Sequence, residues 1–108
     1  MDIANFTDLA KLEEICKEAV QNSNTAKAIG SVGGCGRVYV SLGTIRANSK
    51  VMKILEKHFK MSKRPHYQSK QLYVGYDNAT GYEWDKGCKI METFKKYDID
   101  AYVDGDGD

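Results

Sequence analysis

Long apolar runs are missing from this 108-residue chain, and so are paired cysteines, a second proline and any strong net charge. Nothing approaches the roughly 20 consecutive apolar residues that a membrane span needs. The N-terminal MDIANFTDLAKLEEI carries acids where a signal peptide carries bases. The expectation is a soluble, cytoplasmic protein with no membrane partner. The three cysteines, Cys16, Cys35 and Cys88, are odd in number and form no C-x-x-C pair, which argues against a disulfide framework and against a zinc site. Lys plus Arg number 16 against 15 acids, so the overall field gives no general attraction to nucleic acid or membrane. The two histidines, His58 and His66, have no cysteine or carboxylate at a recognisable spacing. No catalytic constellation stands out, and neither enzyme activity nor a cofactor is expected.

What is present suits one α/β domain over residues 1–108. Thr7 and Asp8 can cap a helix over 8–22, whose apolar face is Leu9, Leu12, Ile15, Cys16, Ala19 and Val20. A glycine-rich connection follows at 30–36, with a short helical turn expected around Thr25 to Ile29. Residues 37–42 alternate as a strand, and Asn48 or Ser49 can cap a second helix reaching Lys60. Residues 61–70, MSKRPHYQSK, read as an exposed basic loop; a second strand follows at 71–76 and a third helix at 82–97. In that helix Trp84, Cys88, Met91 and Phe94 form the expected inward stripe, and Gly87 permits close approach to the sheet. A third strand at 100–104 runs into an acidic, frayed tail at 104–108. The order α-β-α-β-α-β predicts a three-stranded, mostly parallel sheet packed by helices, with strand-plus-helix recurring as a loose structural repeat.

Period two places Val38, Val40, Leu42, Leu72 and Val74 on one sheet face and Tyr39, Tyr73 and Tyr102 on the other. A tyrosine-rich face stacks bases in RNA-binding sheets, or packs beneath another helix or a second subunit. In QLYVGYDNATGY a strand runs into an Asx-type turn, bringing Tyr76, Asp77 and Asn78 to a strand end. If the first two strands are parallel neighbours, Arg46, after the first strand, shares that rim. A guanidinium, a carboxylate and an amide then suit phosphate, ribose and base edge. Tyr67 among Lys63, Arg64, His66 and Lys70 suits a stacked base with neutralised phosphates. Arg37 brings a cation beside the glycine-rich segment, although GSVGGCGR precedes a strand where phosphate loops follow one. VDGDGD stops before the distal glutamate that a calcium loop requires.

The LYVGYDNATG turn, the CGRVYV strand and the DGDGD end together resemble short proteins of phages and mobile elements. With Tyr67 some ten residues before Asn78, and arginines nearby, the chain resembles the phage anti-Thoeris sponge family. That resemblance implies an oligomer that sequesters a nucleotide immune signal, a cyclic ADP-ribose isomer or a cyclic oligonucleotide, without hydrolysing it. The family's C-terminal arginine has no counterpart here, and Lys95 or Lys96 takes that place. The ligand-binding set is then Arg37, Arg46, Tyr67, Tyr76, Asp77 and Asn78, in a homo-oligomer that encloses a small nucleotide. Two other functions fit the chain: an anti-CRISPR-type inhibitor that contacts a host nuclease through the tyrosine-rich face or the acidic tail, and a single-stranded nucleic-acid-binding module that relies on Tyr39 and Tyr73.

Overall fold

A computed structural model of the chain describes residues 1–30 and 35–107. After a 3₁₀ turn at Ile3–Asn5 come α1 (Leu9–Ser23), β1 (Cys35–Ser41), α2 (Lys50–His58), β2 (Lys60–Ser62), β3 (Gln71–Asn78), α3 (Tyr82–Lys96) and β4 (Tyr102–Gly107). The strands form one sheet in the order β2-β3-β1-β4, and every neighbouring pair is antiparallel. The expected three-stranded, mostly parallel sheet is therefore corrected to four antiparallel strands.

The reason lies in the crossovers. β1 and β2 do run in the same direction, but β3 lies between them; β3 and β4 likewise share a direction with β1 between. Each β-α-β unit is thus split by a strand of the other, which is the β-α-β-β-α-β, ferredoxin-like connection. The loose strand-plus-helix repeat expected from the sequence corresponds to these two interleaved units.

The helices start where short polar side chains close their free N–H groups. The Asp8 carboxylate accepts from Lys11 N at 3.1 Å and the Ser49 hydroxyl from Met52 N at 3.1 Å. α1 packs on both α3 and α2, and α3 lies across β3, β1 and β4. The core between helices and sheet is built from Leu12, Ile15, Val40, Leu55, Leu72 and Phe94, among others, all fully buried. Gly87 lets α3 settle on the sheet, since a Cβ there would stand 3.3 Å from methyls of both Val38 and Val103. The buried residues of α3 are Gly87, Ile90, Thr93 and Phe94, so the inward stripe is rotated from the expected Trp84, Cys88 and Met91, which are half-buried. Among the described residues no helix is long and apolar enough to cross a membrane.

Four local expectations are corrected. The second helix ends at His58, and Lys60 already belongs to β2. Thr25 to Ile29 form no helical turn of their own; this stretch runs past the start of α3, where Lys27 N donates to Asp85 at 2.9 Å and Gly30 N to the Thr80 carbonyl at 2.9 Å. Of the glycine-rich connection, residues 31–34 lie outside the described residues, while Cys35 and Gly36 open β1. The acidic end is no frayed tail through Gly107: Asp104 and Asp106 pair with Tyr39 and Arg37 of β1.

Candidate functional site

One sheet face lies under the helices and the other carries the polar and aromatic residues. On that second face the register sets three rows. Tyr76, Arg37 and Asp106 stand side by side on β3, β1 and β4; Lys60, Tyr73, Tyr39 and Asp104 form the middle row across all four strands; Gln71, Ser41 and Tyr102 form the third. Strict alternation would put Tyr73 and Tyr76 on opposite faces. A bulge resolves this: Val38 pairs with Gly75 and Tyr39 with Tyr73, leaving Val74 as the extra residue of β3. The phase of β3 shifts by one there, so Tyr73, Tyr76 and Asn78 share a face and Asp77 turns to the other.

Asp77 is consumed by structure. It is 5% exposed, and its carboxylate accepts from the N–H groups of Thr80 (3.0 Å), Gly81 (2.9 Å) and Trp84 (3.1 Å) at the start of α3. Burial works to raise its pKa, and the N–H groups of Gly81, Trp84 and Thr80 overcome this and hold it below the usual carboxylate range. The turn reading of Asp77 holds, but the residue faces away from any ligand on the tyrosine face.

The middle row is closed by the chain itself. The loop expected to be exposed and basic folds over the sheet, and Arg64 is buried at 5% exposure. Its guanidinium carbon lies 4.5 Å from the ring centroids of both Tyr39 and Tyr67. Its Nη2 reaches Asp106 Oδ1 at 2.6 Å and Asp104 Oδ2 at 3.1 Å. Tyr67 donates its hydroxyl to Asp104 at 2.8 Å, which pushes the phenol pKa up to about 12. Burial acts to raise the Asp104 pKa, yet the Tyr67 hydroxyl, the Gly105 N–H and Arg64 hold it low. The DGD sequence therefore serves as an internal partner for an arginine, and the layer over Tyr39 comes from the same chain.

The first row is the open part. Arg37 and Asn78 are exposed and Tyr76 is 46% exposed. Asn78 is register partner of Cys35, whose thiol donates to Asn78 Oδ1 at 3.6 Å. Of the six residues expected to bind ligand, the fold brings Arg37, Tyr76 and Asn78 together. Tyr67 belongs to the strap over the middle row, and Asp77 points to the helix side. Arg46 follows the end of β1 that pairs with the start of β3, so it sits at the opposite end of the sheet from Asn78. The shared rim required parallel neighbours, and antiparallel pairing removes it.

The residues the sequence did not single out are Asp106, Asp104 and Tyr39 as partners of Arg64. Only the alternation of acids in VDGDGD with the tyrosine period of β1 hinted at their common face. An open hollow of about 350 Å³ lies between α1 and α3; within its lining Lys96 pairs with Glu18 at 2.7 Å and Asn22 donates to Thr93 at 2.9 Å. Comparison with protein-family models, with curated proteins and with solved structures gives no match.

Proposed function

We propose that this protein binds a nucleotide on the first row of its open sheet face and holds it without altering it. The observation that supports this is the juxtaposition, across one β1–β3 register, of the Arg37 guanidinium, the Tyr76 ring and the Asn78 amide on exposed backbone positions. Tyr76 supplies a flat surface for a base, Asn78 a donor and an acceptor for a base edge or ribose hydroxyl, and Arg37 a forked cation for phosphate. No general base or nucleophile is part of this proposal, so the expected outcome is sequestration. Together with the phage-protein resemblance, this reading becomes counter-defence: removal of a nucleotide immune signal from a host cytoplasm, with a homo-oligomer completing the enclosure. The test is titration calorimetry of wild type, Arg37→Ala and Asn78→Ala against nucleotides. Both variants are expected to lose at least tenfold in affinity with unchanged circular dichroism; undiminished affinity in both would remove the site.

A second reading, inhibition by protein contact, is favoured by the apolar groups beside the same end of the sheet. Ile29 is 53% exposed and Tyr82 39%, and Ile29 lies against Gly81, the residue before Tyr82. With Tyr76 and Arg37 these are residue types that anchor interfaces. Removal of the acidic end does not separate the two readings, because Asp104 and Asp106 are built into β4 and the Arg64 pair. An Ile29→Asp, Tyr82→Asp variant does: it should retain nucleotide and lose a protein target. A single-stranded nucleic-acid reading needs Tyr39 for stacking, and Tyr39 is 4% exposed beneath Arg64.

A further inference from the structure

From the open side of β4 we infer a docking edge: by antiparallel strand addition it takes an extended segment of another protein, in which lysines or arginines alternate with apolar residues. This surface goes beyond the nucleotide reading and does not depend on it.

β4 ends the strand order, so among the described residues no strand lies along the outer side of its six residues. The Gly105 N–H gives its proton to Asp104 Oδ1 at 2.8 Å, which places this amide in the outward set. Amides alternate sides along a strand, so those of Val103 and Gly107 face outward with it. The chain's own carboxylate covers one outward donor, as edge strands often require, and leaves its neighbours for a partner.

The helix side of this edge is apolar and incompletely covered. Around α3, Glu83 meets Gly75 of β3, Gly87 sits against both Val38 of β1 and Val103 of β4, and the Trp84 ring lies 3.5 Å from where a Cβ on Gly105 would stand. The side chains thus pass from β3 to β4 around the helix, and Cys88 and Met91, which follow Trp84 at helical spacing, continue along the flank beyond β4. All three are half-buried. A strand added to β4 would lie beneath them, with its residues level with Val103 and Gly105 turned to that flank.

The opposite side of the edge is acidic. The Asp104 and Asp106 side chains are 39% and 34% exposed and share one cation, the buried Arg64, while Arg37 stands one strand further in, on β1. Residues of an added strand level with these carboxylates are therefore best met by Lys or Arg. When the partner's carbonyl takes the Gly105 N–H, Asp104 Oδ1 is released to that cation. A second copy of this chain fits badly, because two β4 strands paired about Gly105 would set Asp104 of each level with Asp106 of the other.

Trp84 is the only tryptophan, so its fluorescence reads the flank directly. The full chain is titrated with the capped peptide Gly-Lys-Val-Arg-Val-Lys-Val-Gly, with a version carrying Glu for each cation, and with one of the same composition whose valines form a single block. The alternating peptide is expected to move Trp84 emission to shorter wavelength, to slow amide exchange at Val103, and to bind about tenfold more tightly than either control. N-methylation of its valines, whose N–H groups face β4, should abolish binding; N-methylation of its cations, whose N–H groups face away, should change affinity by less than about threefold. Equal binding of the block peptide, or tolerance of N-methyl valines, overturns strand addition. Tighter binding of the Glu peptide overturns the basic partner. Protection of the Val103 amide that grows with protein concentration in the absence of peptide puts a second copy on the edge and overturns the foreign segment. Peptides that leave both Trp84 and Val103 unmoved overturn the edge itself.

Discussion

The guanidinium carbon of Arg64 lies 4.5 Å from the centroid of the Tyr39 ring, and this stack joins the 63–70 loop to a central strand of the sheet. Beneath it, Asp104 and Asp106 on β4 face the same cation, so three distant parts of the chain meet at one side chain. Arg64→Met removes the charge but keeps the stem, leaving two neighbouring carboxylates unpaired. The expected loss is about 2–3 kcal/mol, at the lower end for a buried pair because both aspartates are partly exposed. Arg64→Lys should recover little, because an ammonium has neither the fork nor the flat face. Urea denaturation of the three proteins checks both statements.

Asp77 should matter for stability and not for ligand. Its carboxylate accepts three backbone N–H groups at the start of α3, and Asp77→Ala strands them, at a cost of about 2 kcal/mol. The affinity of the first row should be unchanged if the helix still forms.

Acid should weaken the fold through the same groups. Asp77 and Asp104 are held below the usual carboxylate range in the folded protein. A lowered folded pKa means that the unfolded chain binds the proton first, so the stabilisation is complete above the unfolded pKa of about 4 and disappears as pH falls through the folded value. Glu13, paired with His58, and Glu18, paired with Lys96 and Tyr97, shift the same way. Urea midpoints are expected to be level from about pH 6 to 7.5 as far as these carboxylates are concerned, and to fall below about pH 4.5. Asp77→Asn should flatten part of that fall.

Gly81 precedes α3 with φ of 77°, and a Cβ there would come within 2.1 Å of the Gly30 carbonyl oxygen. Gly81→Ala meets both a left-handed backbone and a backbone clash, so a loss of about 2 kcal/mol or more is expected in thermal denaturation. Gly30→Ala, with nothing within 4 Å of its Cβ but φ of 91°, should cost less.

The helices were legible because their signals are local. Asp8 and Ser49 cap as the sequence suggests, and Leu12, Ile15 and Ala19 recur at helical spacing on the buried face. Strand direction was not legible, since it depends on which strand fills the gap in each crossover. The three residues of β2 are too few to show a period, and Lys60 reads as the end of a helix. The bulge at Val74 hid the common face of Tyr73 and Tyr76, which alternation assigns to opposite sides. Arg64 reads as one more cation in a basic loop because its partner Asp106 is 42 residues away. Arg37, Tyr76 and Asn78 could be proposed from residue type, but their meeting follows from antiparallel register alone.

Native mass spectrometry of wild type and Tyr76→Ala, each with cyclic mononucleotides, nucleoside monophosphates and cyclic ADP-ribose isomers, bears on the nucleotide site without intermediate assumptions. Wild type should retain one nucleotide per site, in a monomer or an oligomer, and release it with unchanged mass on denaturation, while Tyr76→Ala at the same charge states retains none. Wild type that ignores every nucleotide, or Tyr76→Ala that takes up the same amount, would contradict nucleotide binding on this face.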